Sequence, residues 1–144
     1  MRTLNRKAPF EYFLFDRIEA GVSLLGCEVK SIKIGRLDLT TSFVRIKNGQ
    51  PYLMNANIMP YLGGTPEGYD PTRTRKLLLN RDEIISLETK AKQQKLTIVP
   101  TKIYTKGNRI KVEIALAKPK HKFEKREVKR RKDIDRDIER ELKL

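Results

Sequence analysis

The chain is 144 residues long, with 32 Lys and Arg against 18 Asp and Glu and a formal net charge of +14. That length holds one domain with at most an appendage, and 38% hydrophobic residues in recognisable alternation argue against a wholly disordered chain. No run approaches the roughly 18 uninterrupted apolar residues of a membrane span.

The basic start, Met1 to Lys7, meets Pro9, Glu11 and Asp16 instead of an apolar stretch, so it does not read as a signal peptide. The single Cys27 supplies neither an internal disulfide nor a thiolate zinc site. The expectation is a cytoplasmic chain without metal or cofactor. So basic a composition favours a polyanionic partner. A membrane partner calls for a basic amphipathic helix with a bulky apolar face, and Trp is absent here, so nucleic acid leads.

In chain order, Tyr12–Ile18 and Val22–Ile34 flank Ala20-Gly21 and predict a hairpin whose long second arm bends near Gly26. A short helix over Thr40–Phe43 is a further candidate. Val44–Lys47 and Tyr52–Asn55 flank Asn48-Gly49, a strong hairpin signal. Gly63, Gly64, Pro66, Gly68 and Pro71 predict a long loop from Tyr61 to Arg75. Asn80-Arg81-Asp82-Glu83 opens a helix in the manner of a capping box. Ile84, Leu87 and Ala91 share one face of it, and Lys90, Lys92 and Lys95 suit its C-terminal end.

Leu96–Tyr104 predicts a strand, with Leu96 and Ile98 on one face and Val99 and Ile103 on the other. Pro100 at the change of phase predicts a bulge or bend. A turn at Lys106-Gly107-Asn108 leads to Arg109–Ala117, where Ile110, Val112, Ile114 and Leu116 alternate with more polar neighbours. The predicted fold is mainly β: a small closed antiparallel barrel of oligonucleotide-binding type with flanking helices and a basic C-terminal tail. An ordinary α+β sheet is the alternative. Residues 118–144 carry 12 basic and 7 acidic side chains, net +5, against 20 and 11, net +9, in the rest. This divides the chain into a barrel domain, 1–117, and a tail, 118–144.

Catalysis is poorly supplied. His121, the sole histidine, lies between lysines, and Cys27 reads as a buried small hydrophobe. Asp70, Asp82 and Glu83 are better explained by a turn and a helix cap than by magnesium. An enzyme is not expected. Two basic clusters stand out instead. Asp70-Pro71-Thr72-Arg73-Thr74-Arg75-Lys76 places three cations in four positions just before Leu77-Leu78-Leu79, and arginine forks suit phosphate; a solvated loop end reads equally well. Gly26-Cys27-Glu28-Val29-Lys30-Ser31, with Lys33, Gly35 and Arg36, is the second. Strand alternation would put Glu28 and Lys30 on one face, toward a 2′-OH or base amino group or in a cross-strand salt bridge.

These residues, in order, resemble the SsrA-binding protein (small protein B) family. Asn5-Arg6-Lys7-Ala8 with Tyr12 and Glu19-Ala20-Gly21 match its opening, and Gly26-x-Glu28-Val29-Lys30-Ser31 with Gly35-Arg36 its most distinctive segment. Ser42 to Gly49, Pro60-Tyr61, Asp70-Pro71-x-Arg73-x-Arg75-Lys76-Leu77-Leu78-Leu79 and Leu96-Thr97-x-Val99-Pro100 continue it over nearly the whole chain. The resemblance implies a monomeric RNA-binding adaptor of trans-translation that holds the tRNA-like domain of transfer-messenger RNA and brings it to stalled ribosomes. It implies Glu28, Lys30, Ser31, Arg36, Arg73, Arg75 and Lys76 as RNA-contacting residues. Elongation factor Tu and alanyl-tRNA synthetase are implied as indirect partners through the RNA.

For the tail the resemblance implies a ribosome-binding segment, disordered when free and helical in the empty mRNA channel near the decoding region and rRNA of the small subunit, where it stands in for codon–anticodon pairing. It maps onto Lys118, Lys120, His121, Lys122, Phe123, Glu124, Lys125 and Arg126. Pro119, His121 and Glu124 replace the family's Gly, Lys and Asp. Beyond them Ile134, Ile138 and Leu142 form one narrow stripe, and Glu127–Arg131 and Glu139–Lys143 are favourable i,i+4 pairs. Such a helix is marginal in isolation, which fits folding upon binding. Two rivals share the basicity. A general single-strand binder would need a paired-aromatic platform that the strands do not show, and a ribosomal structural protein would bind ribosomes without transfer-messenger RNA.

Overall fold

Alternation at Ile110, Val112, Ile114 and Leu116 builds one wall of a closed barrel, and the remaining strands complete it. The structure, a computed structural model, describes residues 1–121, 126 and 130–132. Its elements are β1 Arg2–Leu4, α1 Lys7–Glu11, β2 Tyr12–Val22, α2 Gly26–Lys33, β3 Leu37–Asp38 and β4 Phe43–Lys47. They continue with β5 Gln50–Met54, β6 Asn57–Ile58, β7 Arg75–Leu78, α3 Arg81–Gln94, β8 Thr97–Lys106 and β9 Arg109–Pro119.

Following the pairings, β8 joins β4, then β5, β7, β2 and β9, and β9 returns to β8. Six antiparallel strands thus close on themselves and leave no free edge in the ring. The short β1 lies along the far half of β8, and β3 pairs with β6 in a separate two-stranded ladder. The core includes the inward set Val44, Leu53, Leu77, Ile98, Ile103, Val112, Ile114 and Leu116, and Leu87 of α3 belongs to the same buried cluster. A buried side chain of this kind stabilises by about 1.5–3 kcal/mol. A smaller cluster outside the barrel packs Ala8 of α1 on Val99 and Ala117.

Several predicted elements are present. Asn48 and Gly49 both have positive φ, 53° and 74°, the conformation a two-residue primed hairpin requires. β8 breaks register between Pro100 and Lys102. Pro100 lies where β8 changes neighbour on one side, from Ile98 opposite Val44 to Lys102 opposite Leu4, while it stays opposite Ile114 of β9 on the other. In α3 the Asn80 N–H donates to Glu83 Oε1 at 3.2 Å, with Ile84 and Leu87 buried.

Others differ. The predicted hairpin at Ala20-Gly21 is one continuous strand, β2, with its irregularity earlier, at Asp16 (φ 53°). Gly21 marks a close approach instead of a turn: a Cβ there would lie 3.2 Å from Leu78 Cβ. The segment predicted as the hairpin's second arm is the helix α2. Its buried residues, Cys27, Glu28, Ser31 and Ile32, follow helical spacing, a pattern hidden because two of the four are polar. Thr40 and Thr41 form a turn in which Asp38 Oδ1 accepts from the Thr40 N–H at 2.9 Å, so no helix forms there, and Phe43 begins β4.

The strand β9 runs two residues beyond the predicted boundary at 118, with Lys118 opposite Phe13 and Pro119 opposite Tyr12. Arg126 and residues 130–132 have helical backbone and are exposed. Lys122, Phe123, Glu124 and Lys125, the stripe Ile134–Ile138–Leu142 and the pairs Glu127–Arg131 and Glu139–Lys143 lie wholly or in part outside the described residues.

Candidate nucleic-acid interface

The most distinctive polar feature of the barrel is a buried charge network. Glu28 is the third residue of α2, and its Oε1 accepts from the Leu25 N–H at 2.8 Å, which closes the helix's first turn. The same oxygen accepts from Arg73 Nη2 at 2.5 Å, while Oε2 accepts from Arg75 Nε at 2.6 Å. Both Glu28 and Arg75 are fully buried. Arg75 also donates through Nη1 to the Ala56 carbonyl at 2.6 Å and through Nη2 to the Pro71 carbonyl and the Tyr69 hydroxyl at 3.0 and 3.1 Å. That hydroxyl lies 3.1 Å from Glu28 Oε2 and 3.0 Å from the Ile58 carbonyl.

One carboxylate, one guanidinium and the Tyr69 hydroxyl therefore join α2, β6, β7 and the end of the long loop. Burial alone would raise the Glu28 carboxyl's pKa, but hydrogen bonds from Arg73, the Leu25 N–H and Arg75 outweigh it and hold it below the usual range. Charges removed from water this completely persist only when fully paired.

Three of the predicted RNA-contacting residues belong to the interior instead. Glu28, Ser31 and Arg75 do not reach the surface. Ser31 Oγ donates to the Met59 carbonyl at 2.7 Å, pinning α2 to the start of the loop. A strand would place Glu28 beside Lys30 on one face, whereas helical steps of about 100° send Glu28 inward and Lys30 outward. All three side chains are instead engaged by partners within the fold.

The surface itself is cationic. Lys30, Lys33 and Arg36 are exposed or half-exposed, and Arg73 is half-buried with its head on Glu28. Lys30 Nζ stands 5.4 Å from the Tyr61 ring centroid, a cation–π contact that ties α2 to the loop. The Met59 N–H donates to the Arg36 carbonyl at 3.0 Å, which holds the next turn of the chain to the same loop. Lys76 is exposed on β7, one residue past the network. Asp70 serves as a turn residue, its Oδ1 accepting from the Thr72 N–H at 3.0 Å.

Sequence reasoning missed Tyr69, and it marked Tyr61 only within the Pro60-Tyr61 motif, without its partner Lys30. A tyrosine inside a Gly- and Pro-rich loop gives no sign of its partner before the fold brings α2 beside it. At the tail's root, Lys118 and His121 are exposed, but Lys120 is engaged by the body. Its Nζ donates to the Pro9 carbonyl at 2.8 Å and lies 5.0 Å from the Phe13 ring centroid, and its N–H donates to the Glu11 carbonyl.

A closed β-barrel bearing clustered, rigidly seated cations defines a basic RNA-binding barrel protein. The chain belongs to the SmpB protein family, whose profile matches residues 2–144. An SsrA-binding protein of Sulfurihydrogenibium sp. (strain YO3AOP1) is 48% identical over 139 residues, 96% of this chain and 91% of that one. One from Malacoplasma penetrans (strain HF-2) is 43% identical over 141 residues, covering 98% and 97%. A solved structure described as "tmRNA-SmpB: a journey to the center of the bacterial ribosome" superposes with a TM-score of 0.71 at 42% identity, over 84% of this chain and 85% of that one.

Proposed function

We propose that this chain is a non-catalytic adaptor that binds the tRNA-like domain of transfer-messenger RNA and delivers it to stalled ribosomes in trans-translation. The single observation that carries the surface assignment is the Glu28–Arg75 network, which fixes α2 and the long loop so that Lys30, Lys33, Arg36 and Arg73 are presented from a rigid support. Folded RNA is recognised by shape, phosphate and 2′-OH, and preset cations meet those needs at small entropic cost. The SsrA-binding relatives and the ribosome-associated structural neighbour support the partner.

The finer reading gives the tail from His121 onward the ribosomal role: it enters the empty mRNA channel, near the decoding region, in place of codon–anticodon pairing. Lys120 fixes where the tail leaves the barrel. Elongation factor Tu and alanyl-tRNA synthetase engage through the RNA, and the chain works as a cytoplasmic monomer.

The test is a titration against the tRNA-like fragment, with a duplex of equal length as control, both at physiological salt. Strong preference for the fragment is expected, and Arg36→Ala with Lys33→Ala, both exposed and without a side-chain partner among the described residues, should weaken it while leaving thermal stability unchanged. Equal affinity for fragment and duplex would refute the partner and leave only basicity.

A further inference from the structure

A second cationic surface adjoins the first and has a different construction. The strands β4, β5 and β7 contain no Asp or Glu. Val44, Leu53 and Leu77 are buried while Arg45 and Lys76 are exposed, as alternation requires. In the register, Tyr52 is opposite Arg45 on one neighbouring strand and opposite Lys76 on the other. Directly opposed side chains in such ladders have Cβ atoms roughly 4.5–5.5 Å apart, so the tyrosine ring lies in a row between two cations. Lys47 extends the positive edge, and Arg45, Lys47, Tyr52, Met54 and Thr74 border a concavity of about 470 Å³.

Some cations elsewhere on the barrel are neutralised by a neighbouring carboxylate, and these are not. Lys90 is salt-bridged to Asp16, Lys92 to Glu88, Lys102 to Glu113 and Lys106 to Glu19. Among the described residues, no hydrogen bond or ion pair engages the side chains of Arg45, Lys47 or Lys76. A solvated charge face would not need the aromatic ring at its centre. An acidic peptide would use the cations and leave the ring idle. A base stacked on an aromatic, with its phosphates on flanking cations, uses both.

We infer that the outer face of β4, β5 and β7 binds single-stranded RNA, one base stacking on Tyr52 and the adjoining phosphates held by Arg45, Lys47 and Lys76. This site goes beyond the tRNA-like interface and does not depend on it. Lys76 stands at the border of the two surfaces.

The experiment titrates the full chain with a short fluorescent single-stranded RNA of mixed sequence over a range of salt. In parallel, the same proteins are titrated with the tRNA-like fragment. Tyr52→Ala should weaken single-strand binding about tenfold, the scale of one base stack, and Tyr52→Phe should restore it, because stacking needs the ring and not the hydroxyl. Arg45→Ala with Lys47→Ala should flatten the dependence of log affinity on log salt by about 0.7 for each phosphate left without its cation. Affinity for the tRNA-like fragment should stay at the wild-type value in both.

Wild-type single-strand affinity for Tyr52→Ala would overturn the stacking site, even if the double variant bound more weakly. So would an equal weakening against the tRNA-like fragment, which would merge the two surfaces. Tyr52 is half-buried, so thermal melting accompanies each titration. If Tyr52→Ala fails to fold, exposed Lys47→Ala carries the test, and an unchanged salt slope there overturns the proposal.

Discussion

Glu28 shows how a residue singled out for one reason can be essential for another. A carboxylate in a basic motif suggests an interaction with ribose or a base, yet here it is the anionic centre of a buried network that no solvent reaches. Glu28→Ala would leave the Arg75 guanidinium buried without its counter-charge, at a cost of about 3–5 kcal/mol, readable as a shift in the urea midpoint. RNA affinity should then fall because α2 and the loop lose their seat. Arg36→Ala should lower affinity without moving the midpoint, and a variant pair that behaved identically would refute this division. The folded carboxyl's pKa lies below its ordinary value of 4.5. The stability it contributes is therefore present above that pH and is lost as pH falls through the lower folded value. Acid unfolding of Glu28→Gln should lack this component, a difference that parallel acid titrations of the two proteins would detect.

Elements are legible in the sequence where local pattern and tertiary role agree. Alternation in β9, the Asn48-Gly49 turn, the Asn80–Glu83 helix start and the Pro100 break each express a constraint contained within a few residues. The helix α2 is not legible, because its inward face holds Glu28 and Ser31. Their burial is compensated by Arg75, Tyr69 and the Met59 carbonyl, which are distant in the chain. The site shares that fate: the motif names its cations, but their division into buried and exposed depends on partners 47 residues apart. Two glycines test the local reading. Gly49 has φ 74° and open space around it, so Gly49→Ala should cost about 1 kcal/mol from backbone strain alone. Gly26 also has open space, at the first turn of a helix and without positive φ; Gly26→Ala should be neutral or stabilising by up to about 1 kcal/mol. Equilibrium denaturation measures both, and a costly Gly26→Ala would contradict the helical assignment.

For the whole molecule, the open question is where the barrel ends and the tail begins. Composition places the change at residue 118, because the density of charge rises there. Strand pairing places it later. Lys118 and Pro119 extend the ladder with Phe13 and Tyr12, and Lys120 attaches to Glu11 and Pro9 through main chain and side chain. Those bonds hold α1 and the start of β2 against the barrel, beside the small cluster of Ala8, Val99 and Ala117. Two truncations separate the possibilities. A chain ending at Lys120 should melt at the wild-type temperature, bind the tRNA-like fragment with wild-type affinity and fail to support peptide tagging on stalled ribosomes. A chain ending at Ala117 should melt several degrees lower, because each kcal/mol lost from a domain of this size shifts the midpoint by about 4 °C. If both melted alike, the strand's last residues would add nothing to the barrel. If the chain ending at Lys120 still supported tagging, the ribosomal role would lie in the barrel and the tail would be dispensable.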